Sequence, residues 1–189
     1  MARTTISIDD ELIEEAKDTG LNVSQLAREA VENKLESPTH HFFNTNEDNL
    51  PGNQTGAGVY GHGVVATFAK ADNDEHIDEF GGYIGEVEAN DRIYSWENNY
   101  GLRAVGIALE DGNAKPVPEE HRLFHPPSGD IHEFHVPVNW VAVLDRKTTL
   151  TTDEVKHIVG HPVWGRGTHV ELKDEHHPEL LWDIVVGRS

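Results

Sequence analysis

The chain has 189 residues, with 34 acidic side chains against 15 basic ones and a formal net charge of −19. This length allows one domain or two small ones, and the acidic balance is unusual for a nucleic-acid-binding protein, which normally carries a basic surface. Cysteine is absent, which excludes disulfides, thiol catalysis and cysteine-ligated zinc. No run of 18 or more apolar residues is present, so the sequence predicts no membrane span.

The first predicted element is a short strand that begins at Arg3 and runs directly into a helix. Ile6 and Ile8 share one face of this strand, and Arg3, Thr5 and Ser7 share the other, because side chains alternate along a strand. One face is therefore suited to packing, and the other presents hydrogen-bonding groups.

Two helices are predicted next. The first begins at Asp9-Asp10 and ends at Gly20, which has the position of a C-cap, and Ser24 caps the second. Apolar side chains recur at helical spacing in both helices: Leu12, Ile13 and Ala16, then Leu26, Ala27, Ala30, Val31 and Leu35. About 36 residues are usually too few to bury such stripes alone, so the segment is expected to dimerise.

The order of strand, Gly20 break and Asn22-Val-Ser capping sequence resembles the ribbon-helix-helix family of DNA-binding proteins. Within that family it resembles the CcdA-like antitoxins. The resemblance implies a dimer whose paired strands enter the major groove, with Arg3, Thr5 and Ser7 facing base edges. The alternative is a ribbon that serves dimerisation alone.

The same resemblance implies a phosphate contact at the start of the second helix. The backbone N–H groups of Asn22, Val23 and Ser24 are the expected donors, because a helix N-terminus is a natural anion site.

Residues 38–58 are predicted to be a linker or a loosely docked segment, since they lack periodicity and are rich in Asn, Thr, Gly and Asp. Phe42, Phe43 and Leu50 are expected to pack on a domain surface, and His40 and His41 to be exposed. The predicted organisation is therefore a ribbon-helix-helix domain at 1–37, a linker at 38–58 and a second domain at 59–189.

Short strands predominate in the second domain. They are predicted at residues 63–68, 91–96, 102–109, 132–144 and 167–172. Helices are predicted at 152–159, capped by Thr151 or Thr152, and at 178–186. The predicted fold class is therefore α+β, a ribbon-helix-helix segment followed by a small mixed β-barrel with peripheral helices.

The order of motifs over residues 60–187 resembles the PUA-like superfamily, and the EVE domain most closely. The motifs are Asn90-Asp-Arg-Ile-Tyr-Ser-Trp96, Gly101-Leu-Arg-Ala-Val-Gly-Ile107, Phe134-His-Val-Pro-Val-Asn-Trp140, Leu150-Thr-Thr-Asp-Glu-Val155 and Gly165-Arg-Gly-Thr168. The resemblance implies a reader of modified bases that holds a flipped or single-stranded base between aromatic side chains.

The implied pocket has four candidate walls and two candidate cations. The walls are Tyr94, Trp96, Tyr100 and Trp164, and the cations, for a phosphate or a base edge, are Arg103 and Arg166. Ordinary core packing is the alternative for the aromatic residues, including Trp140. Surface ion pairs are the alternative for the two arginines.

Catalytic and metal sites are weaker hypotheses. Thr67-x-x-Lys70 resembles the ASCH branch of the PUA-like superfamily, which includes amidohydrolases and nucleases, and Glu86 or Glu88 would assist Lys70 as a base. The alternative, which we favour, is that Thr67 and Lys70 are ordinary strand residues, so no enzyme is predicted.

The thirteen histidines include two pairs whose spacing a metal ion could use. His132 and His135 would point to opposite faces of a strand, however, and Gly160 breaks the helix between His157 and His161. We therefore predict neither a metal nor a cofactor.

The sequence as a whole predicts a dimeric DNA-binding protein, a transcriptional regulator, whose EVE-like domain reads a modified base or nucleotide. The alternatives are an antitoxin-like partner of another protein and an ASCH-type RNA or nucleoside hydrolase. The acidic composition resembles that of salt-in halophiles. The N-terminus has no signal-peptide core, so a cytoplasmic location is expected.

Overall fold

The computed structural model describes residues 38–45, 58–124, 131–160 and 168–189. The chain divides into two units, residues 1–38 and 39–189, and nearly all the described residues belong to the second. The residues expected to contact DNA lie outside the described part: Arg3, Thr5, Ser7, Asn22, Val23 and Ser24. Within the described ranges, no helix is long and apolar enough to cross a membrane.

The described part of the second unit is built on one curled, mixed sheet with the strand order β2-β5-β4-β3-β1-β6. The strands are β1 (His40–Asn44), β2 (Val64–Lys70), β3 (Arg92–Glu97), β4 (Gly101–Ala108), β5 (Ile131–Val143) and β6 (His169–Leu172). The β1–β3 pair is parallel and the other neighbours are antiparallel. The helices are α1 (Gly58–His62), α2 (Asp74–Gly85), α3 (Thr152–Val159) and α4 (Pro178–Arg188). These elements confirm the predicted α+β class.

Strand β1 lies in the segment predicted to be a linker, and it corrects that prediction for residues 40–44. It lies between β3 and β6, and its two phenylalanines pack on opposite faces of the sheet, Phe42 on one and Phe43 on the other. His41, expected to be exposed, is 2% exposed. A strand buried on both faces lacks the apolar–polar alternation that identifies a strand in a sequence.

The core lies on both faces of the sheet. On one face, α3 and α4 pack against a cluster that includes Phe42, Leu102 and Leu150. On the other face, α2 packs through Ile84 on a cluster that includes Phe134. The sheet is therefore a middle layer, and the side chains of β1 and β3 alternate between two buried environments.

Helix α2 is absent from the sequence-based prediction. Its Asn73 cap accepts a hydrogen bond from the backbone N–H of His76, but three glycines in its second half weaken the helical signal. One of them, Gly81, is required by the packing of the helix against its neighbours. A Cβ at Gly81 would lie 2.3 Å from the carbonyl oxygen of Ala114 and 2.9 Å from the Phe134 ring. The glycine therefore permits a close approach that outweighs its low helix propensity.

Helix α3 begins with a capping box, as its sequence predicts. The Thr151 hydroxyl accepts a hydrogen bond from the Glu154 N–H, and the Glu154 carboxylate accepts one from the Thr151 N–H at 2.8 Å. The hydrogen bond from the Thr151 N–H, followed by one from Arg188, lowers the pKa of Glu154 to about 2. The helix ends at Gly160, whose positive φ of 79° favours glycine.

Replacing Thr151 by alanine is expected to lower the free energy of unfolding by about 1 kcal/mol, because it removes the N-cap acceptor. Tryptophan fluorescence during urea unfolding measures this change, since all four tryptophans belong to the second unit. Thr152→Ala is the matched control, because Thr152 is an exposed first helical residue. Equal losses in the two variants would contradict the cap.

Candidate functional site

A cluster of charged and aromatic side chains lies where β3 ends and the chain turns into β4. We call it the Glu97 cluster; it consists of Tyr60, Glu97, Tyr100, Arg103 and Arg146. The connecting turn needs Gly101, whose φ is 119° and where a Cβ would lie 2.0 Å from the Leu150 carbonyl oxygen. The backbone around the cluster is thus held in one tight arrangement.

A β-bulge aims Arg103 into this cluster. Ser95 pairs with Ala104, but the next residue, Trp96, pairs with Leu102. Arg103 is therefore the extra residue of the bulge, and bulges redirect side chains in this way. Its Nε donates to the Leu144 carbonyl oxygen at 3.1 Å, which fixes the plane of the guanidinium.

The carboxylate of Glu97 is fully buried and is paired with two arginines. One oxygen accepts a hydrogen bond from Arg103 at 2.6 Å, and the other accepts one from Arg146. A buried carboxylate needs such partners, because removal from water is costly for an unpaired charge. The three groups together carry one net positive charge.

Each guanidinium of the cluster also lies over a tyrosine ring. Arg103 lies 4.5 Å from the centroid of the Tyr60 ring, and Arg146 lies 4.5 Å from that of Tyr100. The Arg146 side chain is 34% exposed, against 16% for Arg103. The Arg146–Tyr100 stack is therefore the more accessible of the two.

Hydroxyl and amide groups continue the cluster into the ends of β1 and β3. The Tyr60 hydroxyl forms hydrogen bonds with Ser95 at 2.6 Å and Thr45 at 3.3 Å, and burial raises its pKa. Asn44 donates to the Asn98 side chain at 3.1 Å. The Asn44 Oδ1 is buried and has no hydrogen-bond partner among the described residues. Asn44 lies on the face of β1 that carries Phe42, and Thr45 lies on the opposite face.

The structure separates the predicted pocket residues. Tyr100 and Arg103 belong to the Glu97 cluster. Tyr94 and Trp96 lie instead in the core under α3 and α4, at 0% and 7% exposure. Both therefore follow the alternative given for the aromatic residues, which is ordinary core packing. The Tyr94 hydroxyl donates to the Pro178 carbonyl oxygen at 2.9 Å. Two more predicted residues, Trp164 and Arg166, lie outside the described part of the chain.

Sequence reasoning missed three members of the cluster: Tyr60, Glu97 and Arg146. They come from α1, β3 and the turn after β5, and no spacing in the sequence relates them. Trp140, considered as core, packs its ring edge-on against Tyr60 at 5.2 Å, and its indole N–H donates to the Val59 carbonyl oxygen at 3.4 Å.

The residues of the hydrolase hypothesis are not brought together. Thr67 is 2% exposed, and its hydroxyl donates to the Phe80 carbonyl oxygen at 2.8 Å. Lys70 is exposed at the end of β2, three residues away and on the opposite face. Both glutamates proposed to assist, Glu86 and Glu88, are exposed.

Among the described residues, no group of three or more His, Asp or Glu side chains is arranged to hold a metal ion. His132 and His135 both lie on β5, and His157 lies on α3. His161 lies outside the described residues.

Comparison with known proteins gives a match for the N-terminal segment. A family model described as post-segregation antitoxin CcdA matches residues 2–46, which confirms the CcdA-like resemblance of that segment. None of the curated proteins matches the chain.

Solved structures give weak similarities. The Toxoplasma CPSF4-YTH domain in apo form has a TM-score of 0.45 and 13% identity, covering 81% of this chain and 90% of its own. The Mmi1 YTH domain has a TM-score of 0.43 and 10% identity, covering 78% and 75%. A hypothetical protein from Leishmania major has a TM-score of 0.44 and 9% identity, covering 79% and 96%. Such scores are too low to transfer a ligand or a residue role.

Replacing Glu97 by glutamine is expected to lower the free energy of unfolding by about 3 kcal/mol, because it leaves two arginines without their shared counter-ion. Urea unfolding followed by tryptophan fluorescence measures the loss. Glu110→Gln, at an exposed position, is the control and should change the free energy by less than about 0.5 kcal/mol. A loss as small as the control's would show that Glu97 does not stabilise the cluster.

Proposed function

We propose that the chain is a dimeric DNA-binding regulator of the ribbon-helix-helix type, whose second unit binds a nucleobase or nucleotide. The family match over residues 2–46 supports the first part. The matched range includes the strand residues proposed to face base edges, Arg3, Thr5 and Ser7, and the residues proposed to bind phosphate at the start of the second helix, 22–24. Dimerisation is proposed because so short a segment cannot bury its apolar stripes alone.

The Glu97 cluster supports the second part of the proposal. Planar guanidinium groups stacked on aromatic rings form surfaces on which bases stack, and the Arg146–Tyr100 stack is accessible. Stacking on such a surface contributes about 1–3 kcal/mol per base and accepts any base. Selectivity would then come from hydrogen bonds at the base edge. We propose that Trp164 and Arg166 complete this site.

The charge of the chain decides the conditions under which binding should be measured. A net charge of −19 repels nucleic acid at low salt. At molar salt the screening length falls to about 3 Å, so this repulsion disappears beyond direct contact. We propose that the protein works in such a medium, as its halophile-like composition suggests, and that groove hydrogen bonds dominate its affinity for DNA.

The DNA-binding proposal predicts that an Arg3→Ala, Thr5→Ala double variant loses about 100-fold in affinity. The estimate takes each of the two lost base contacts as about 1.4 kcal/mol, or tenfold, which lies within the usual range of about 1–3 kcal/mol. A duplex selected from a random pool by the full chain at molar KCl provides the probe, and fluorescence anisotropy provides the measurement. Lys115→Ala, in the second unit and exposed, is the control. Equal affinities for the double variant and the control would show that the ribbon does not read DNA.

The ligand-binding proposal predicts that Tyr100→Ala and Arg146→Met each weaken nucleotide binding about tenfold, through lost stacking. Calorimetric titration of the full chain with modified and unmodified nucleotides, at molar KCl, measures the affinity. Arg188→Met is the matched control, because Arg188 pairs with Glu154 instead. Should both site variants bind as tightly as the control, the ligand proposal fails while the DNA-binding proposal stands.

An antitoxin role is the second candidate, and the description of the matching family favours it. Antitoxins of this type are expected to neutralise a toxin with the segment that follows the ribbon. Here that segment leads into β1, whose residues are part of a sheet. The antitoxin role would be supported if the full chain purified from its native cells together with a stoichiometric small protein. The Arg3→Ala, Thr5→Ala double variant should then still form that complex.

A further inference from the structure

Two histidines on neighbouring strands share a hydrogen bond at the opposite end of β1 from the Glu97 cluster. His41 on β1 and His169 on β6 stack with their ring centroids 5.2 Å apart and their planes at 22°. The His41 Nδ1 lies 3.0 Å from the His169 Nε2. Their side chains are only 3% and 4% exposed, so water cannot readily replace this contact.

A carboxylate lies at each end of the histidine pair. Asp91 is fully buried, and its Oδ2 lies 3.1 Å from the His41 Nε2. The same carboxylate accepts backbone N–H bonds from Thr39 at 3.0 Å and Glu88 at 2.8 Å. An aspartate with these donors is an ionised acceptor, so the His41 Nε2 carries a proton.

The other end is more open. The His169 Nδ1 lies 3.5 Å from a carboxylate oxygen of Glu86, whose side chain is 64% exposed. The ring of His169 also packs against Phe43 and Tyr83. The described titratable groups facing the pair are therefore Asp91, Glu86 and Tyr83, with His40 next along β1.

The number of N–H hydrogens that the two rings can direct at acceptors limits how many protons the pair and its two carboxylates can hold. In the neutral state, the His169 Nε2–H donates to His41, and the His169 Nδ1 presents a lone pair to the Glu86 carboxylate. One added proton gives every nitrogen a suitable partner: Nε2–H of His41 to Asp91, one hydrogen between the rings, and Nδ1–H of His169 to Glu86. A second added proton would place two N–H groups against each other across 3.0 Å.

We infer that Asp91, His41, His169 and Glu86 form a relay that holds one proton beyond neutrality and fastens β6 to β1 and to the end of α2. A second proton breaks the bond between the rings and releases β6. Strand β6 has four residues, and β1 is its one strand neighbour among the described residues. Its attachment therefore rests on its pairing with β1, on the packing of Val170 and Leu172, and on this contact.

The titration of His169 agrees with this geometry. Burial, and then the positive charge of His41, lower the pKa of His169 from 6.5 to about 4. The unfolded chain therefore binds more protons at this residue between those two pH values. The contribution of His169 to the free energy of unfolding is therefore complete above about pH 6.5 and is lost as the pH falls towards 4.

Nuclear magnetic resonance of the histidine rings in the full chain tests the relay directly. Long-range nitrogen–proton spectra over pH 8 to 4 report the protonation of each ring nitrogen. We expect His41 to carry its Nε2 proton throughout and His169 to gain its second proton only near pH 4. Protonation of His169 near the ordinary histidine pKa of about 6.5 would overturn the relay.

A variant series tests whether the relay holds β6. His169→Gln can still donate to the His41 Nδ1 but cannot titrate, and His157→Gln is the matched control. Below pH 6.5, the unfolding constant of the wild type and the control should rise up to tenfold more per pH unit than that of His169→Gln. Equal pH dependence in all three proteins would overturn the release step. If His169→Gln does not fold, hydrogen exchange of the β6 amides in the wild type at pH 7 and 4.5 provides the test, and unchanged protection overturns it.

Discussion

The parallel pairing of β1 with β3 is the contact on which the rest of the second unit depends. It places the five residues of β1, of which the central three are buried, between β3 and β6. One end of the pair brings Thr45 beside Ser95 and the Glu97 cluster, and the other brings His41 beside Asp91. Both polar centres therefore rest on the register of one short strand, and a shift of one residue would exchange its two faces.

Because basic side chains are few in this acidic chain, the position of each one is informative. The chain has only 15 basic residues against 34 acidic ones, yet two arginines pair with one buried carboxylate, that of Glu97. A buried ion pair adds little net stability compared with apolar packing, but it strongly penalises arrangements that leave a charge unpaired. The cluster thus specifies how β3, β4 and the turn after β5 meet. Its second consequence is an accessible guanidinium–tyrosine stack at the surface.

The parts of the fold that the sequence predicts are those with local patterns. The β3–β4 hairpin, β5 and α3 follow from alternation, turn residues and caps, and the structure places them within a few residues of the predicted bounds. Strand β1 has no such pattern because each of its faces carries one histidine and one phenylalanine, and two glycines of α2, Gly81 and Gly85, permit close tertiary contacts. The Glu97 cluster is non-local: a bulge, a turn and α1 supply its members. The sequence predicts Tyr94 as a pocket wall because an aromatic residue on a strand gives the same pattern whether it packs in a core or lines a binding site.

The position of β1 also bears on the choice between a regulator and an antitoxin. The family match ends at residue 46 and so includes β1, although residues 39–189 form a separate unit. A partner that bound residues 40–44 as an extended peptide would have to remove Phe42 and Phe43 from two separate core clusters. Exposing a phenylalanine costs about 1.5–3 kcal/mol, and the loss of two strand pairings adds to this. A protein partner of this chain is therefore expected to recognise either the segment before β1 or a folded surface of the second unit.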